Sequence, residues 1–163
     1  MKILSRVIQI FTSIIAVLVV IMFILPIAIG IRPFIVLSGS MEPGIKTGSI
    51  VYINTNISSY EIVENDVIGF KLNNQTVTHR VVEVNKEDQS FITKGDANDE
   101  RDAVPVTFTN YLGKTIFTIP FIGKIIMFFK SGIGLYLLVA LILLNVLLVI
   151  LEKDKDNTYE KQE

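Results

Sequence analysis

Cysteine is missing from all 163 residues, which removes disulfides, thiol nucleophiles and cysteine-ligated metals from consideration. Histidine occurs once, at position 79, so any metal would have to be held largely by oxygen ligands. The acidic segment that could supply them lacks the spacing of a calcium loop, and neither a metal nor a cofactor is expected. No surplus of either charge is present: residues 32–131 hold 10 basic and 11 acidic side chains. That balance gives no attraction to nucleic acid or to an anionic membrane surface. Internal repeats and low-complexity segments are also lacking.

Charge is wholly absent from two blocks, residues 7–31 and 132–151. Each reaches the roughly 20 apolar residues needed to cross a bilayer core of about 30 Å, and two membrane spans are expected. Ala28-Ile29-Gly30 has the small-x-small form of a signal-peptide cleavage site. The apolar run before it is longer than the 7–15 residues of a signal h-region, which favours a retained anchor. Lys2 and Arg6 precede the first span, and Lys153, Lys155 and Lys161 follow the second. Arg32, Lys46, Lys124 and Lys130 lie between them near the span ends. The positive-inside rule then tilts slightly toward both termini in the cytoplasm.

Between the blocks the pattern shifts to short alternating runs. Residues 34–37, 49–53, 67–71, 76–84, 89–93 and 115–119 read as strands rich in Val, Ile, Thr and Phe, separated by Gly, Asn and Asp turn chemistry. No stretch there shows a long helical period. The expected fold class is mainly β: a compact antiparallel domain anchored by an N-terminal and a C-terminal transmembrane helix. The boundaries expected are 1–31 for the first anchor, 32–131 for the β domain, 132–151 for the second span and 152–163 for a charged cytoplasmic tail. The apolar run 116–129 reads as core plus the approach to the second span; the alternative is a surface meeting the lipid interface through Phe117, Phe121, Phe128 and Phe129.

Three places carry residues suited to chemistry. Ser38-Gly39-Ser40-Met41-Glu42-Pro43 follows the first strand. Ser40 is a candidate nucleophile, which needs a base to take its proton. Ser38 offers a hydroxyl to a developing oxyanion, and Gly39 permits close backbone approach to a substrate; a plain turn is the competing reading. Thr78-His79-Arg80 lies within the strongest strand, where alternation sets Val77, His79 and Val81 on one face. His79 is either packed there or serves as a proton acceptor near neutral pH. The segment 93–102 places four acids, Asp96, Asp99, Glu100 and Asp102, within seven residues. It is either a solvated turn or the source of a carboxylate that orients His79, with Asp96 and Asp102 as candidates.

Taken in order, the apolar anchor, Ser-Gly-Ser-Met-Glu-Pro, Asn65-Asp66-Val67-Ile68, Thr78-His79-Arg80-Val81-Val82 and Thr93-Lys94-Gly95-Asp96-Ala97-Asn98 with a later Asp resemble the type I signal peptidase family. The resemblance covers about residues 10 to 110. It is to the branch of the endoplasmic reticulum, archaea and some Gram-positive bacteria, with histidine where the other branch has lysine. It implies a membrane-bound serine endopeptidase that removes signal peptides after small residues through an acyl-enzyme. Ser40 is then the nucleophile, His79 the general base and Asp102 the better candidate for the triad acid, with Asp96 ordering the site or sharing that role. Ser38, with Gly39 and Met41, falls at the oxyanion and substrate positions. Ile35, Val36 and Val77 are residues that would line alanine-sized pockets. The implied partners are preproteins bearing signal peptides, the lipid bilayer and the secretion machinery, and the implied location is the cell membrane, multi-pass, with the β domain on the extracytoplasmic side. Asn65-Asp66 replaces the family's usual Gly-Asp, a departure expected to affect a turn more than the chemistry. Two readings compete: a non-catalytic membrane-tethered β domain that binds a secretion partner, and a self-cleaving repressor-type peptidase. The second fits poorly with two spans and no DNA-binding segment.

Overall fold

Residues 7–28 carry no charge, are mostly apolar and are helical, and a helix satisfies its own backbone hydrogen bonds, as a segment crossing lipid would require. The computed structural model describes residues 2–132 except position 74, together with single residues between 136 and 150. Helix α1 (Lys2–Val19) runs into a π segment (Val20–Ile24) and then α2 (Leu25–Ala28). Pro26 has no N–H to give to the preceding turn, and the loosening to π register lies just upstream of it. Arg6–Ala28 is a 23-residue candidate membrane span, about 35 Å at 1.5 Å per residue. It is the one helix among the described residues long and apolar enough to cross a membrane. The second span expected at 132–151 lies for the most part outside the described residues, and the tail 152–163 lies wholly outside them.

Residues 25–125 form a unit with its own core. Seven strands build it: β1 (Ile31–Ile35), β2 (Ile50–Asn54), β3 (Val67–Leu72), β4 (Gln75–Asn85), β5 (Ser90–Lys94), β6 (Val106–Thr107) and β7 (Tyr111–Ile119). They make one antiparallel sheet in the order β1-β2-β7-β3-β4-β5-β6. Pro33 lies inside β1, which is tolerated because β1 is an edge strand and needs no further donor there. The turn from α2 into β1 is tied down by Asn56 Nδ2 donating to Ile29 O (2.9 Å) and by the Thr55 hydroxyl donating to Gly30 O (2.8 Å).

Two apolar clusters fill the unit. Ile62, Ile68, Phe70, Val81, Phe91 and Val106 form one. Met41, Ile45, Val51 and Ile53 form the other, with Phe34, Val36 and Val67 packed against it. The second matters most for the site. Met41 is 1% exposed, and burying such a side chain is worth about 1.5–3 kcal/mol. That burial pins the turn on which Ser40 sits.

One element was missed and one expectation needs correcting. Residues 122–130 form a short helix, α3 (Ile122–Lys130), that the sequence reading did not single out; nine residues are too few for the 3.6-residue repeat to stand out beside an adjoining apolar strand. The run 116–129 is also not core. Ile116, Phe117, Phe121 and Phe128 are exposed, and the Phe129 side chain lies outside the described residues. Composition cannot separate a core run from an apolar surface, because both read as unbroken hydrophobicity.

Candidate active site

A tight turn follows β1. Glu42 N–H donates to Gly39 O (2.9 Å) and Ile45 N–H to Met41 O (2.7 Å), and the Glu42–Pro43 peptide is cis. Thr47 closes the turn: its N–H and its hydroxyl both donate to Glu42 Oε1, at 3.1 and 2.9 Å. Those two bonds hold the Glu42 carboxyl below its ordinary value. With Met41 buried beneath, Ser40 is left half-buried at the head of the turn.

β4 brings His79 to this turn. Val77, His79 and Val81 share a face, as alternation requires. Both valines pack in or against the first core cluster, and His79 is 9% exposed. The Phe70 ring meets the imidazole edge-on, 6.2 Å between centroids. On one side of the ring Nε2 lies 3.1 Å from Ser40 Oγ. On the other, Nδ1 lies 2.6 Å from Asp102 Oδ2. An ionised carboxylate only accepts, so Nδ1 carries the proton and Nε2 presents a lone pair to the serine hydroxyl. Residues 39 and 23 positions apart in the chain are thus joined in one hydrogen-bonded row, Ser40 to His79 and His79 to Asp102.

Asp96 goes elsewhere. Its two oxygens receive Arg80 Nε (2.8 Å) and Nη2 (2.7 Å), a bidentate pair. That hydrogen bonding, partly opposed by burial, raises the Arg80 guanidinium above its ordinary value. Arg80 Nη1 also donates to Asn65 O (2.8 Å). Asn65 has φ +72°, a left-handed conformation that asparagine tolerates better than most residues. The Asn-for-Gly departure is therefore absorbed by the turn. Asp66 beyond it accepts from Val63 N–H (3.1 Å) and pairs with Lys114 (2.6 Å).

The remaining assigned residues divide. Ser38 Oγ lies 3.4 Å from Ser40 Oγ on the exposed side. Met41 is a core side chain that also forms part of a groove wall. A Cβ on Gly39 would meet only ordinary contacts, 3.6 Å or more from Thr47 and Glu42, so nothing within the chain crowds this position. Crowding falls on two glycines that were not singled out. A Cβ on Gly44 would come to 2.5 Å of Asp96 Oδ2, and one on Gly95 to 2.5 Å of the Ser40 carbonyl oxygen. Ala97 N–H donates to that same oxygen (2.9 Å). No sequence signal marks either, because the groups that crowd them lie more than 50 positions along the chain.

Beside Ser40 opens a groove of about 450 Å³ between residues 34–37 and 75–78. Phe34, Val36, Met41, Val51 and Val77 make its apolar walls, Ile35 also lines it, and Gln75 and Thr76 add polar groups. The arrangement sets a serine hydroxyl, an imidazole held on its far side by a carboxylate, and an apolar slot within one reach.

Comparison with known proteins gives two kinds of relative. Signal peptidase I W of Bacillus subtilis is 42% identical over 78 residues, which is 46% of this chain and 41% of that protein. The signal peptidase complex catalytic subunit SEC11C of Homo sapiens is 36% identical over 73 residues, 42% of this chain and 38% of that one. The dog protein of the same name matches equally. No family model matches. The aligned stretch thus spans about two fifths of these relatives' length. Over that stretch the chain is similar to type I signal peptidases of the endoplasmic-reticulum and Gram-positive branch.

Proposed function

We propose that this chain is a membrane-bound serine endopeptidase that removes signal peptides from exported preproteins after small residues. The observation that carries the reading is the row Ser40–His79–Asp102, with a nucleophile–base distance of 3.1 Å and a base–acid distance of 2.6 Å. The names of the relatives supply the substrate class, preproteins with signal peptides.

In this mechanism the cleavage region of the preprotein lies extended in the groove. β1 is a terminal strand of the sheet, so its free edge can add a substrate strand through backbone hydrogen bonds, with side chains alternating into the slot. Ile35, Val36 and Val77, which line the groove, would receive the small side chains next to the scissile bond. Ser40 Oγ bonds to the scissile carbonyl carbon as its proton passes to His79 Nε2. Asp102 stabilises the imidazolium that forms. The Ser38 hydroxyl donates to the oxyanion. Collapse breaks the C–N bond, and Nε2 returns the proton to the leaving amine. Water then attacks the Ser40 ester with His79 again taking a proton, and the acid product leaves with Ser40 restored. Arg80–Asp96 acts in support, holding the acidic segment against the Ser40 turn.

The same reading places residues 1–31 and 132–151 as membrane spans, 32–131 on the extracytoplasmic side and 152–163 in the cytoplasm. Incubating the purified full chain with a preprotein in detergent tests it. Wild type is expected to release a mature protein whose new amino terminus follows a small residue, and Ser40→Ala and His79→Ala are expected to release none. A wild type that binds the preprotein and leaves it whole would favour a binding module and overturn the proposal.

A further inference from the structure

We infer that Thr93 is the fourth member of the hydrogen-bonded row, a positioning residue that holds Asp102 on the histidine; the inference rests on the peptidase reading of the same site. Thr93 sits in β5 with 0% exposure. Its hydroxyl donates to Asp102 Oδ2 at 2.6 Å, the same oxygen that receives His79 Nδ1–H at 2.6 Å. Its carbonyl accepts the Asp102 N–H at 2.8 Å. One residue therefore grips the aspartate at both backbone and side chain.

The residue type is informative. At a fully buried strand position valine fills the same volume, favours the strand and buries no polar group. A hydroxyl there is justified by its partner, and the partner is the carboxylate next to the base. Asp102 also has a reason to need holding. It sits on the segment 95–102 that leaves β5, and its side chain is 22% exposed. Without a second donor on Oδ2 the carboxylate is free to turn about its Cβ–Cγ bond toward water and leave Nδ1. The imidazole would then lose both its orientation and its tautomer. Thr93 touches neither the serine nor the groove, so its effect falls on the chemical step and not on substrate binding.

The test compares full-length Thr93→Val and Thr93→Ser with wild type on one preprotein. Thr93→Val is expected to lower kcat by roughly 10–100-fold, the range for losing one hydrogen bond to a charged group that positions a reacting one, with KM and melting temperature little changed. Thr93→Ser keeps the hydroxyl and is expected to recover most of the rate. In an Asp102→Asn background Thr93→Val should cost little more, because residues acting as a unit are not additive. A wild-type kcat in Thr93→Val, or the same loss with Asp102→Asn present, would overturn the inference. Should Thr93→Val fail to fold, the kcat ratio of Thr93→Ser to Thr93→Ala isolates the same hydroxyl. The far-downfield proton resonance of His79 Nδ1–H reads the clamp without turnover. It should be sharp in wild type and Thr93→Ser and lost to exchange in Thr93→Val. Persistence in Thr93→Val sinks the clamp, whereas a wild type that shows the resonance and cleaves nothing sinks the peptidase reading instead.

Discussion

Gly95 lies against the backbone of Ser40: a Cβ on Gly95 would stand 2.5 Å from the Ser40 carbonyl oxygen. The contact is backbone to backbone, so no flexible side chain can yield. Gly95→Ala must push the Ser40 turn and the acidic segment apart and break the bond from Ala97 N–H to Ser40 O. A displacement of about 1 Å at a nucleophile costs on the order of 10²-fold in rate. Steady-state cleavage of a preprotein by Gly95→Ala is expected to fall by that order, with the protein still folded by circular dichroism.

The two aspartates are expected to separate by phenotype. Asp102→Asn removes the charge that stabilises the imidazolium and should lower kcat by about 10³–10⁴-fold with little change in melting temperature. Asp96→Asn breaks the bidentate pair with Arg80, whose side chains are 34% and 16% exposed. At that partial exposure the loss is expected to be about 1–2 kcal/mol of stability, seen as a lower midpoint in urea, with a smaller loss of rate. Equal effects of the two on kcat would contradict the division of labour.

This division shows where sequence reading reaches and where it stops. The serine, histidine and acidic boxes were legible because each is a short contiguous motif with a chemical reason for its residue types. Six of the seven strands were legible because Val, Ile and Thr alternate in them. β6, with only Val106 and Thr107, is too short to show any period, and β7 begins at Tyr111, four positions before the alternation is evident. Asp96 and Asp102 could not be assigned from spacing, since either could face His79 until the path of the segment is known. Gly44 and Gly95 were passed over for the same reason: their crowding is set by neighbours far along the chain. Thr93 stood in a recognised box, but its partner oxygen is visible only in three dimensions.

Stability is expected to weaken at alkaline pH through Tyr111. Burial, reinforced by the negative charges of Asp66 and Glu61, pushes its phenol above the ordinary value, and its hydroxyl donates to Ile57 O at 3.1 Å. A pKa raised by folding gives stability that is fully present below the unfolded value of about 10 and is lost as pH rises beyond it. Melting temperatures measured from pH 8 to pH 11 should fall less steeply for Tyr111→Phe than for wild type. Identical slopes would show that the phenol does not contribute.

The claim on which the account turns is that the Ser40 oxygen carries the acyl group. Rapid acid quench of wild type with a preprotein, followed by peptide mass spectrometry, measures this directly. The predicted result is a signal-peptide acyl adduct on the peptide containing Ser40, absent from Ser40→Ala, which also releases no mature protein. Cleavage of the same bond by Ser40→Ala, or an adduct on another side chain, would contradict it.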